Sequence, residues 1–214
     1  WEELIFQWVR HSVARYGADE VATWYFQTWN EANLPQYYWG GTQEEFFRLH
    51  DAAIRGVRRA LPAARVGGPD NAGAGDRFMS AFIGHVKAAG TPTDFLSFHA
   101  KGNPAFVDNG NGGGHVRMGL ADQLRAADNE FAQIAADPEF RTKPIIIGEA
   151  DPEGCAACQG PANAYRNGTM YSSYTAASFA RLQELATRRG LTLEGILTWA
   201  FEFEDQPYFA GFRQ

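Results

Sequence analysis

Glu31 and Glu149 each stand at the exit of an apolar, strand-like run, a placement that could bring two carboxylates to one rim of a parallel-strand fold. Glu31 closes the aromatic run Trp24-Tyr25-Phe26-Gln27-Thr28-Trp29-Asn30, and Glu149 closes Lys143-Pro144-Ile145-Ile146-Ile147-Gly148. An isolated strand-end glutamate is commonly a surface ion-pair partner; two delivered to one rim are harder to explain that way. Paired carboxylates suit cleavage of a glycosidic bond. One carboxyl protonates the departing oxygen, while a carboxylate about 5 Å away attacks the anomeric carbon. One must start protonated and the other ionised, and burial and neighbouring charge can separate their pKa values. Other polar groups fall at strand ends too: Asn30 beside Glu31, His99 after an apolar run, and Trp199 with Glu202 and Glu204 near the last run.

The elements that must position these groups follow a βαβα order. Helices are expected over residues 2–16, 43–61, 76–89, 117–136 and 172–189. The second opens on the capping box Thr42-Gln43-Glu44-Glu45, places Phe46, Leu49, Ala53, Val57 and Leu61 on one face, and stops at Pro62. In the last, Phe179, Leu182 and Leu185 should point inward. Strands are expected over 23–28, 65–68, 94–99, 144–148 and 195–201, each short and rich in β-branched or aromatic residues. Residues 102–114, with Asp108-Asn109-Gly110-Asn111-Gly112-Gly113-Gly114, read as a loop at the rim. Five βα units fit either an open doubly wound sheet or the later part of an eight-stranded barrel.

Composition narrows the partners. The 214 residues are 45% hydrophobic and 21% charged, the balance of one ordinary globular domain. A net charge of −6 without a basic run gives no attraction to nucleic acid or an anionic membrane, and no stretch approaches the roughly 18 to 20 apolar residues of a spanning helix. A neutral substrate fits better, and the 14% aromatic share, with six tryptophans, offers flat faces on which sugars can pack. The glycines lack the strand-Gly-helix order of a phosphate site. Cys155 and Cys158 form Cys-Ala-Ala-Cys after the second glutamate. A loop-stapling disulfide or inert thiols is the simplest reading, with zinc binding or redox work as alternatives that need further ligands or a strand-to-helix turn.

The run Trp29-Asn30-Glu31-Ala32-Asn33-Leu34, with Gly67-Gly68-Pro69 and Ser97-Phe98-His99 downstream, resembles family 39 of the glycoside hydrolases, a two-glutamate barrel family that includes β-xylosidases. The resemblance spans nearly the whole chain. It implies a (β/α)8 barrel of which this chain supplies strands 4 to 8, an incomplete catalytic domain over residues 1–214 whose first three strands lie outside it; the start at Trp1 agrees. It implies that Glu31 is the acid/base, that Asn30 contacts the sugar 2-hydroxyl and that Glu149 is the nucleophile of a retaining β-xylosidase with no metal or organic cofactor. Trp199 matches an aromatic platform at the base of the sugar subsite, Glu204 is a candidate for holding sugar hydroxyls, and His99 either lines the subsite or is structural. The chain departs from the family pattern at Ala32 in place of proline, Gly148 in place of a hydroxyl residue and Lys101 where tyrosine often stands. These departures bear on sugar preference. Arabinoside or glucoside specificity, or an inactive carbohydrate-binding barrel, are the alternatives; location and oligomeric state are not read from the sequence.

Overall fold

The computed structural model describes residues 1–73, 75–155, 158, 163, 165–166 and 169–198. In chain order these form α1 (Glu2–Tyr16), α2 (Ala18–Val21), β1 (Tyr25–Gln27), α3 (Gln43–Ala60), β2 (Arg65–Ala72), α4 (Phe78–Ala89) and β3 (Phe95–His99). There follow β4 (Ala105–Asp108), β5 (Gly114–Arg117), α5 (Leu120–Ala135), a 3-10 turn over Phe140–Thr142, β6 (Ile145–Glu149), α6 (Thr169–Arg188) and β7 (Leu193–Ile196). The five strands β1-β2-β3-β6-β7 lie side by side in that order, every neighbouring pair parallel. Among the described residues no helix is long and apolar enough to cross a membrane.

Local chemistry starts the helices and apolar burial seats them. Thr42 accepts from the Glu45 backbone N–H at 3.2 Å, while the Glu45 carboxylate accepts from the Thr42 N–H at 2.8 Å; a cap of this kind contributes about 1 kcal/mol. The helices cover the outer face of the sheet, where Phe46, Phe82, Leu96, Phe98, Phe131, Ile145, Ile147 and Leu182 are fully buried in one apolar cluster. A second cluster, with Val9, Phe26, Ile54, Val57 and Val66, joins α1 and α3 to β1. These helices approach closely at Gly56, where a Cβ would stand 2.6 Å from the Glu2 carbonyl oxygen. Phe179 and Leu185 pack at the margin of the first cluster and Leu182 within it, as the helical period requires.

Several boundaries differ from the sequence reading. The second strand does not stop at Gly68: pairing with β3 carries it through the polar Pro69-Asp70-Asn71 to Ala72, after a register shift between Pro69 and Asn71. Local propensity makes that run a turn, and tertiary pairing overrides it. The expected loop over 102–114 contains β4, which pairs antiparallel with β5, so that Ala105 faces Arg117 and Asp108 faces Gly114. Because Arg117 is held in that ladder, α5 begins at Leu120, after Gly119 at φ 68°. The last strand starts two residues earlier than expected, at Leu193, and α6 three residues earlier, at Thr169. The short α2 went unread because four residues carry no period.

Candidate active site

Glu31 lies four residues beyond β1 and is held by the neighbouring strand: its backbone N–H donates to the Asp70 carbonyl at 3.0 Å. Asn33 adds a two-way clamp, its amide donating to the Ala72 carbonyl at 2.9 Å and its side-chain oxygen accepting from the Ala72 N–H at 2.9 Å. The same amide reaches the Asp76 carboxylate at 2.8 Å. Trp29, Glu31 and Asp70 have φ values of 71°, 46° and 55°, and they are the non-glycine residues with positive φ among those described. Left-handed backbone in side-chain-bearing residues costs of order 1–3 kcal/mol each and persists where the surroundings over-determine it, commonly at functional sites.

His99, at the end of β3 and only 1% exposed, joins the two glutamates. Its Nδ1 lies 2.7 Å from Glu31 Oε1 and 3.6 Å from Glu149 Oε2, and its Nε2 lies 3.2 Å from Asp70 Oδ2. Burial opposes a charge on the ring, but the hydrogen bonds to Asp70 and Glu31 and the attraction of Asp70 and Glu149 outweigh it and raise the pKa to about 9. At neutral pH His99 is an imidazolium. One oxygen of Glu31, a ring nitrogen of His99 and one oxygen of Glu149 all lie within 4.8 Å of one another. That spacing would suit a metal ion on distance alone; His99 Nδ1 is engaged by Glu31 at 2.7 Å, and hydrogen bonds and opposite charges hold the cluster together.

Glu149 is gripped from its other side. Lys101 Nζ lies 2.5 Å from Glu149 Oε2 and 2.5 Å from Asp151 Oδ2. Asp151 is buried and also accepts from the Thr198 hydroxyl, which lies 2.9 Å from Tyr171 Oη. Buried Gln123 on α5 donates to the carbonyl of Ala100, between His99 and Lys101, at 3.0 Å, and accepts from Tyr174 at 2.8 Å. A pocket of about 570 Å³ opens over this cluster, lined by Glu31, Leu34, Tyr37, Tyr38, Lys101 and Cys155 among others. Cys155 and Cys158 are joined as a disulfide, the simplest of the readings of that motif. Arg166 braces their loop by donating to the carbonyls of Cys155 at 2.6 Å and Cys158 at 2.7 Å, and it pairs with Glu153.

The fold therefore brings together Glu31, His99 and Glu149, with half-buried Asn30 beside Glu31. Trp199, Glu202 and Glu204 lie outside the described residues. The sequence reading missed Asp70, Asn33 and Asp151 as parts of the site, and noticed Lys101 only as a departure. Asp70 was hidden because the second strand was ended two residues before it.

The sequence profile of Glycosyl hydrolases family 39 matches residues 1–213. The chain belongs to glycosyl hydrolase family 39. Among its relatives in the family, a β-xylosidase of Caldicellulosiruptor saccharolyticus is 39% identical over 103 residues, covering 46% of this chain and 20% of the relative. Human α-L-iduronidase is 28% identical over 169 residues, covering 71% of this chain and 23% of that protein. The crystal structure of a monomeric β-xylosidase from Caulobacter crescentus CB15 superposes with a TM-score of 0.73 at 26% identity, over 93% of this chain and 38% of that one. The chain thus spans about a fifth of the length of the curated family 39 relatives it matches, and its parallel sheet is part of the family's barrel.

Proposed function

We propose that the protein containing this chain is a retaining glycoside hydrolase that releases β-linked xylose from non-reducing ends, with Glu31 as acid/base and Glu149 as nucleophile. The observation that carries this reading is the convergence of the two carboxylates on one histidine, with oxygens within 4.8 Å of each other. Inverting enzymes keep their carboxyl groups roughly 6.5–9.5 Å apart to admit a water, whereas retaining ones hold them about 5 Å apart. In the first step a Glu149 oxygen bonds to the anomeric carbon as the glycosidic bond breaks, and Glu31, which takes up a proton from solvent when substrate binds, gives it to the departing oxygen. In the second, Glu31 takes a proton from water, the water oxygen bonds to the anomeric carbon, and Glu149 leaves as carboxylate. Asn30 is placed beside Glu31 to hold the 2-hydroxyl. Lys101 donates to Glu149 Oε2 and so orients the carboxylate. The β-xylosidase relatives support xylose as the sugar.

In the complete protein, Glu149→Ala should abolish hydrolysis of an aryl β-xyloside, and azide should restore it with inversion at the anomeric carbon. Activity retained in that variant would remove Glu149 from the role. Glu31→Ala should slow substrates with poor leaving groups far more than activated aryl glycosides, since only the former need the proton.

Lys101 favours a second reading. It places an ammonium, paired with Glu149 and Asp151, in the pocket wall, and an α-L-iduronoside, the substrate class in the name of the iduronidase relatives, brings a further carboxylate for it to attract. Rates on aryl β-xyloside and aryl α-L-iduronide separate the two. If the uronoside is the substrate, Lys101→Met should raise its KM by about tenfold or more, the equivalent of ~1.4 kcal/mol. An unchanged KM would exclude the contact.

A further inference from the structure

Asp70 occupies space that a side chain at position 148 would take. A Cβ on Gly148 would stand 2.5 Å from Asp70 Oδ1 and 3.3 Å from His99 Nε2. Asp70 is 4% exposed and its Oδ2 meets His99 Nε2 at 3.2 Å; its Oδ1 has no hydrogen-bond partner among the described residues. Across the ring, His99 Nδ1 meets Glu31 at 2.7 Å. A buried carboxylate, an imidazole and a second carboxylate thus stand in line, each at hydrogen-bond distance from the next.

We propose that Asp70 is a positioning residue: it anchors His99 from behind, and through His99 it fixes the Glu31 carboxylate, in the space that a side chain at position 148 would otherwise fill. The part concerning catalysis rests on the reading of Glu31 as acid/base; the part concerning His99 does not. The groups facing the ring are Glu31 beyond β1, Asp70 on β2 and Glu149 on β6, with Lys101 two residues on from His99 and paired to Glu149, and the Tyr38 phenol across the pocket. Of these, Asp70 alone touches Nε2. It meets the ring's charge from the side away from the substrate, so Glu31 is not the sole counter-ion when it gives up and regains its proton. Removing the Asp70 charge should make His99 easier to deprotonate and let the ring turn, which loosens Glu31.

Two measurements on the complete protein test this. Nitrogen-15 NMR of His99 should show the imidazolium persisting to near pH 9 in the wild type, and a midpoint lower by about one pH unit or more in the isosteric Asp70→Asn variant. In the same variant kcat on a poor-leaving-group glycoside should fall by about tenfold or more relative to an activated aryl glycoside, with KM little changed. An unchanged midpoint overturns the anchoring of His99. A lowered midpoint with equal losses on both substrates overturns the link to Glu31. If Glu31→Ala shows no leaving-group dependence, the acid/base reading fails by itself, while the titration still decides the Asp70–His99 contact. A second pair of variants tests the shared space: Gly148→Ser should impair the wild type, and it should restore activity lost in Asp70→Ala, because its hydroxyl enters the vacated volume within reach of Nε2. A double variant no better than the product of the two single losses overturns the exchange.

Discussion

His99 is 1% exposed, and burial alone would keep its imidazole neutral; the carboxylates of Asp70, Glu31 and Glu149 reverse that outcome. The reversal has a consequence for stability. A group whose pKa rises on folding from 6.5 to about 9 contributes fully below pH 6.5, and its contribution is lost as the pH climbs through 9. At about 1.4 kcal/mol per pH unit, the loss is on the order of 3 kcal/mol. Denaturant unfolding of the complete protein at pH 6 and pH 9.5 should show it, and His99→Gln should flatten much of the difference. His50 behaves oppositely: packed against Phe82 with 0% exposure, it is held down to about 4 by burial, so it stays neutral at any pH near 7.

The loop after β1 depends on Asn33, whose three hydrogen bonds fasten it to Ala72 and Asp76. Asn33→Ala removes the side-chain acceptor of the Ala72 N–H and leaves the Ala72 carbonyl the longer bond from the Asn71 amide at 3.3 Å, at about 1–3 kcal/mol of local stability. The expected result is a marked fall in kcat, read in the complete protein by steady-state kinetics, with a smaller change in the melting temperature. Behind the same strand end, Glu130 of α5 is 0% exposed, and the Asn71 amide donates to it at 3.2 Å. Burial raises its pKa to about 8, helped by the charge of Asp76 and opposed by the Asn71 bond, so it is a neutral acid at pH 7. Its preference for the protonated form stabilises fully below pH 4.5 and is lost as the pH rises through 8. Glu130→Gln removes that loss. The variant should therefore gain stability relative to the wild type as the pH is raised from 5 to 8.5, measured by denaturant midpoints; a constant difference would contradict the buried ionisation.

A five-stranded parallel sheet with β1 and β7 at its margins, in a family whose fold is a barrel, is part of a larger closed structure. Trp1, at the N-cap of α1, and Leu4 and Trp8 on the helix are exposed apolar residues, and Trp8 meets Phe26 of β1. We propose that preceding barrel units cover these residues and the β1 edge, and that the 214-residue segment by itself associates through them. Sedimentation of the segment should find self-association, and Leu4→Glu with Trp8→Glu should reduce it. A cooperative thermal transition from a well-behaved monomer would count against the proposal.

The sequence by itself determined the βα order, the capped start of α3 and the placement of Glu31 after one strand run and Glu149 at the end of another, because periodicity, caps and strand runs are local properties of neighbouring residues. It also carried the family motif around Asn30 and Glu31. Only the tertiary structure decided which groups meet at the site. Asn33 binds across 39 residues and Lys101 across 48, and both contacts depend on strand register, which shifts at Pro69/Asn71 and again at Phe98/His99. Those shifts, with the left-handed backbone at Glu31 and Asp70, accompany the meeting of Asp70 with His99 and bring Asp70 Oδ1 to where a Cβ at position 148 would stand. No periodicity encodes them, because each arises from packing between elements far apart in the chain.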